Sequence, residues 1–211
     1  MRLLRSAINR GWALRMAKIY GWLIVVTFAG VTWVASRGYG ADATVMSLVA
    51  RAAGTLAWVA GFTALALAGP AKDAAFRNGA LALAAARGFS TQDVERAEMA
   101  ATTRLLLEVV VPPLLALSLF VWLVDGQGRA GPAGFSLIGS CTFGVVAAVI
   151  LGVVASACRH WGQGRGRTWF LLVVLLPWPL AELLLSPKTA PFGSIPGLLG
   201  VFWESLTRVT G

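Results

Sequence analysis

Five stretches of the 211-residue chain run the length of a bilayer core with almost no charge: residues 19–36, 52–71, 105–124, 135–158 and 168–187. A helix needs about 20 predominantly apolar residues to cross the hydrocarbon. No water is available there, so the backbone must satisfy its own hydrogen bonds, and none of these stretches alternates as a barrel strand does. Each is therefore expected to be a helix. The expected fold class is all-α: a polytopic helical membrane bundle of about five transmembrane helices, filling one transmembrane domain over residues 1–211. Composition excludes a soluble alternative, because 57% hydrophobic against 13% charged residues, at a mean hydropathy of +0.74, is more apolar surface than a water-soluble fold can hide.

The net charge of +9 would suggest nucleic acid in a soluble protein, but here the cations cluster at the ends of the apolar runs. That pattern points to topology and to membrane lipids, with no nucleic acid. Residues 1–18, 70–104 and 159–167 hold 13 of the 18 Lys and Arg residues. The positive-inside rule then puts the N-terminus in the cytoplasm, and the expected location is the bacterial inner membrane. The basic start followed by an apolar run also has the form of a signal peptide, but the run is long enough to span and further spans follow, which favours a retained first anchor. In residues 1–18, Leu4, Ile8, Trp12 and Met16 rise at helical spacing among arginines, as in an interfacial helix lying on the inner leaflet.

Residues 70–104 form the longest cytoplasmic element. Residues 76–87 are rich in Ala and Leu, Gly88 is a helix stop, and Ser90 followed by Asp93 is an N-cap with an acidic first turn. Two helices joined by a tight corner are expected, the second running into the third span. At the other end of the chain, residues 195–203 are too short to cross, so a re-entrant or interfacial hairpin is expected there, with Glu204 and Arg208 as an i,i+4 pair.

The fourth span carries a small residue every four positions: Ser136, Ser140, Gly144, Ala148, Gly152 and Ser156. Such a stripe lets another helix approach closely. The partner helix could be within the chain or in another copy; packing within the chain is favoured. Three ionisable residues fall inside spans, where burial is costly. Glu108 lies four residues after Arg104, so a local ion pair accounts for it. Arg51 and Glu182 both fall in the outer third, where they could pair across helices as a charged gate or stay apart and snorkel. Pro112-Pro113 and Pro177-Trp178-Pro179 are expected to interrupt the backbone ladders of the third and fifth spans.

Catalytic sets are missing. His160 is the sole histidine, so neither a bis-histidine haem site nor a usual zinc site can be assembled, and no cofactor is expected. There is no G-x-S-x-G, H-E-x-x-H or Walker A sequence. Cys141 and Cys158 would stand about 25 Å apart along one helix and could not bond. The chain is expected to be no enzyme.

The segment Arg77-Asn78-Gly79-Ala80-Leu81-Ala82-Leu83-Ala84-Ala85-Ala86-Arg87-Gly88-Phe89-Ser90, set after a basic N-terminal helix and two spans and before closely joined later spans, resembles the elbow of the permease subunits of type-2 ATP-binding-cassette exporters. The corner carries Gly88 where that family commonly has proline, and a final span is missing or reduced. The resemblance implies that the elbow, with Arg77, Gly79, Arg87, Gly88, Phe89, Ser90 and Arg96, docks on a separate ATP-binding-cassette ATPase subunit. It also implies a homodimer or pairing with a similar permease, with Arg51 and Glu182 near the interface. The rival reading is a non-transporting scaffold or anchor subunit of a larger complex, for which the small-residue stripe and basic inner surface would suffice.

Overall fold

The computed structural model describes residues 11–36, 45–69, 79, 82–83, 85–125, 130–161, 165–185 and 193–209. All regular structure among them is helical. The elements are α1 (Gly11–Ser36), α2 (Val45–Leu67), α3 (Thr91–Asp125), α4 (Ala130–Trp161), α5 (Gly166–Phe170), a π turn (Leu171–Leu175), α6 (Pro177–Leu184) and α7 (Ile195–Val209).

Side-chain contacts fix the direction of each rod. Lys18 meets Glu108 and, three residues on, Gly21 sits against Pro113, so α1 and α3 run parallel. The α4 helix returns antiparallel, with Ser140 opposite Ser118, Gly144 against Val110 and Leu114, Gly152 against Thr103, and Arg159 beside Glu98. The close of α2 lies next to Arg159, and the chain after α4 starts up again from the same place, with Gly166 packed on Ala68 and Leu175 against Gly61. The result is an up-and-down bundle. The start of α1, the end of α2, the start of α3, the end of α4 and the start of α5 therefore share one end, which carries the elbow.

The α3 helix is the axis. Leu106, Val109, Val110 and Leu114 are fully enclosed, and Leu56, Phe143, Leu151, Phe170 and Val174 close around them. Lipid tails are as apolar as these side chains, so association depends on close fit and on buried hydrogen bonds. The small residues of α4 supply both. Ala148 is fully enclosed, and a methyl group on Gly152 would lie 2.9 Å from the Thr103 Cα. The buried Ser118 hydroxyl donates to that of Ser140 at 2.8 Å. The side chain of Ser136 lies outside the described residues, and Ser156 is half-buried at the elbow end.

Among the described residues, three helices are long and apolar enough to cross a membrane, at Trp12–Val34, Gln92–Val121 and Ile138–Trp161; Ala52–Leu67 and Gly166–Ala181 are shorter apolar helices. Of the five expected spans, three thus reach the crossing length among the described residues. Pro177 alters the ladder of the last of the five. It has no N–H to return to the carbonyl four residues back, and the ladder slips to a wider turn in which the Leu176 amide donates to the Leu171 carbonyl at 2.8 Å. The prolines of the third span behave differently, because α3 continues as α-helix through Pro112 and Pro113. Pro113 offers no donor to the Val109 carbonyl, and Gly21 of α1 lies over that carbonyl at 3.5 Å from where its Cβ would be. The tighter neighbour is the Pro113 ring, 3.2 Å from where that Cβ would be, so a side chain at position 21 would crowd the proline.

Two further expectations are modified. Residues 11–18 are continuous with the first rod, with no break between an interfacial helix and a span; residues 1–10 lie outside the described residues. The C-terminal segment is one amphipathic helix, α7, longer than residues 195–203, capped by Ser194, whose hydroxyl accepts from the Gly197 amide at 3.1 Å. Its Leu199 is buried within the core, while the side chains of Glu204 and Arg208 are outside the described residues.

Candidate functional site at the elbow corner

The corner between the elbow helix and α3 is built from three consecutive residues. Residues 85–86 are helical, and the Gly88 amide closes the last turn onto the Ala85 carbonyl at 3.0 Å with φ at +77°. That left-handed conformation costs a side-chain-bearing residue about 1 kcal/mol, so glycine belongs here. Phe89 then projects into the open, and Ser90 caps α3. The Ser90 hydroxyl accepts from the Asp93 amide at 3.2 Å and donates to the Asp93 carboxylate at 2.6 Å, while the Ser90 amide reaches the same carboxylate at 2.9 Å. This reciprocal box ends one helix and starts the next within a few residues. Gly88→Ala and Ser90→Ala are each expected to weaken the corner by about 1 kcal/mol. The measurement is hydrogen exchange at the Asp93 and Val94 amides, both of which donate to the Ser90 carbonyl; both variants should speed it, and unchanged protection would contradict the box.

Of the elbow residues named from sequence, Arg87, Gly88, Phe89, Ser90 and Arg96 are exposed at this end, and so is Leu83. Gly79 is helical with open space around it. Arg77 lies outside the described residues.

Behind the corner is a side chain that sequence reasoning assigned only to the basic inner surface. Arg159, in the last turn of α4, is buried, with 7% of its side chain exposed. Its Nε donates to the Leu67 carbonyl at 3.0 Å, and one terminal nitrogen reaches the same carbonyl. That nitrogen also lies 3.5 Å from the Thr102 hydroxyl, and the other terminal nitrogen is 4.0 Å from the Glu98 carboxylate. A cation at the end of α2 complements the partial negative charge of its last carbonyls, and the planar guanidinium can serve several acceptors at once. The last turn of α2 is where the chain enters the elbow, and Glu98 and Thr102 stand on the helix into which it leaves. One guanidinium therefore ties both ends of the elbow to α4.

The intramembrane charges divide. Glu108 keeps Arg104, at 3.6 Å, and gains Lys18 of α1, at 3.2 Å, so it joins two helices. The side chains of Arg51 and Glu182 lie outside the described residues, and their pairing stays an expectation. His160, read as a headgroup contact, faces Glu95 with 3.3 Å between them. Among the described residues no group of three His, Cys, Asp or Glu side chains could hold a metal, and Cys141 and Cys158 are free thiols.

No model of a known protein family, no curated protein and no solved structure matches the chain.

Proposed function

We propose that the chain is the membrane-spanning permease subunit of an ATP-driven exporter, with five crossings, a cytoplasmic N-terminus and an elbow that receives a separate ATPase subunit. The observation that carries this reading is the Arg159 clamp. A docking element can move transmembrane helices only if it is joined to them rigidly, and here the two helices that flank the elbow, α2 at Leu67 and α3 at Glu98, meet at one buried side chain. The exposed Leu83 and Phe89 give the corner an apolar contact flanked by Arg87 and Arg96. Orientation is supported by the gathering of the three basic segments at this one end. Two copies, each with its own ATPase, would complete the assembly. The chain's part is to convert displacement of the corner into a rigid-body shift of α2, α3 and α4.

The test is purification of the tagged chain from its native membrane in mild detergent, with Phe89→Glu as comparison. An ATPase subunit with a phosphate-binding loop should accompany the parent chain and be lost, by about tenfold or more, from the variant, since a charge replaces a central apolar contact. Melting should change little, because Phe89 is 57% exposed. Recovery with other membrane subunits and no ATPase would replace this reading with the scaffold.

A further inference from the structure

A groove of about 500 Å³ opens between the first turns of α3 and the last turns of α4. Its position along the bundle is set by α4, whose apolar run ends at Cys158 and gives way to Arg159 and His160, with Trp161 in the wall of the groove. The groove thus lies at the boundary between hydrocarbon and water. Numbers run inward on α3 and outward on α4, so its lining can be sorted by depth. Gln92, Glu95, Arg96 and Trp161 form the mouth. About one turn further in, Met99, Val153 and Ala157 form a mainly apolar floor, with Ser156 beside them. Below the floor the surface continues as a ridge, Val153, Val149 and Val145, each a turn apart on α4 and each exposed. Polar mouth, apolar floor and apolar track follow one another in the order of a phospholipid's headgroup, glycerol region and chain. The tryptophan at the mouth, 77% exposed, has the amphipathic ring favoured at headgroup depth.

The charges at the mouth select among headgroups. Elsewhere this end of the protein is strongly cationic and would take any anionic lipid, but here Glu95 and Arg96 stand side by side on the same wall. Glu98 is drawn inward to Arg159 and is only 13% exposed, so it is spent on the clamp. Glu95 remains 46% exposed beside His160, and a carboxylate with two oxygens has room for a further donor. A headgroup complementary to this pair carries a hydrogen-bonding ammonium next to a phosphodiester. We infer that the groove is a binding site for phosphatidylethanolamine, its ammonium on Glu95, its phosphate on Arg96 and one acyl chain along Val153, Val149 and Val145. Phosphatidylcholine has the same charges but no N–H to give, and phosphatidylglycerol has the phosphate without the cation. The inference rests on the membrane embedding alone and is independent of the exporter reading.

Native mass spectrometry of the delipidated full chain in detergent, titrated separately with phosphatidylethanolamine, phosphatidylcholine and phosphatidylglycerol of identical chains, tests it. The first should be retained about tenfold more strongly than either of the others, the ratio corresponding to one charge-assisted hydrogen bond. Glu95→Gln should bring ethanolamine and choline lipids to within about twofold of each other, and Arg96→Gln should weaken both. Ala157→Phe, which fills the floor without touching a charge, should weaken all three. Equal retention of ethanolamine and choline lipids by the parent chain would overturn the proposal. So would Glu95→Gln with the preference intact, or Ala157→Phe with no loss.

Discussion

Arg159→Met is expected to destabilise the bundle by about 3 kcal/mol, the largest loss of any single side chain at this end. Removal leaves the Leu67 carbonyl without its two donors and Glu98, mostly buried, without its cation. Methionine fills most of the volume, so the loss reports the polar network and not a cavity. Arg159→Lys should recover little, because a single ammonium cannot serve the carbonyl, Thr102 and Glu98 together. Glu98→Gln alone should cost less, about 1 kcal/mol, since the guanidinium keeps its carbonyl; the double variant Arg159→Met with Glu98→Gln should be more stable than Arg159→Met. Reversible unfolding in mixed micelles, followed by tryptophan fluorescence, measures all four. Parental stability in Arg159→Met would show that the clamp holds nothing.

Gly166→Ala should be nearly as damaging, at about 3 kcal/mol, for a steric reason. A Cβ there would collide with the Ala68 carbonyl, lie 2.8 Å from the Cys158 carbonyl and stand 3.0 Å from the Arg159 Cα. All three are backbone atoms, so no rotamer change can relieve the contact. Gly139 of α4 is the internal control, because a Cβ there meets nothing within 4 Å. Gly139→Ala should be neutral or stabilising by up to about 1 kcal/mol through helix propensity alone. Similar melting of the two variants would mean that the α2, α4 and α5 backbones do not meet at Gly166.

The two results concern positions that differ in how visible they were. Hydrocarbon-length runs and a four-residue stripe are periodic signals, and so α4 with Ser140, Gly144, Ala148 and Gly152 could be placed as a packed rod from its letters. The same stripe held the clue to Arg159, three residues beyond Ser156 on the same face. A cation that continues a packing face has to be buried, yet counting it with the other basic residues of a connection hid that. Gly166 closes a glycine-rich stretch of sequence, residues 162–166, where only the approach of two other chain ends distinguishes it. The prolines show a different limit. Pro112-Pro113 and Pro177 each remove backbone donors, yet α3 continues as α-helix through the first pair while the ladder before Pro177 widens to a π turn. The exposed mouth of the groove, with Glu95 and Arg96, carries no sequence signal because it exists only where two helices diverge.

Lys18 and Glu108 are separated by 90 residues of chain. During synthesis α1 is finished long before the helix that will hold it exists. It has the thinnest packing of the three long rods, with 22% of its apolar window enclosed against 50% for α3. In the interval its hold on the bilayer depends on its own apolar length, and Lys18 has only phosphate headgroups for company. The ion pair is then a latch that can close only after α3 has been made, so the N-terminal rod, the first to be made, waits longest for its polar partner.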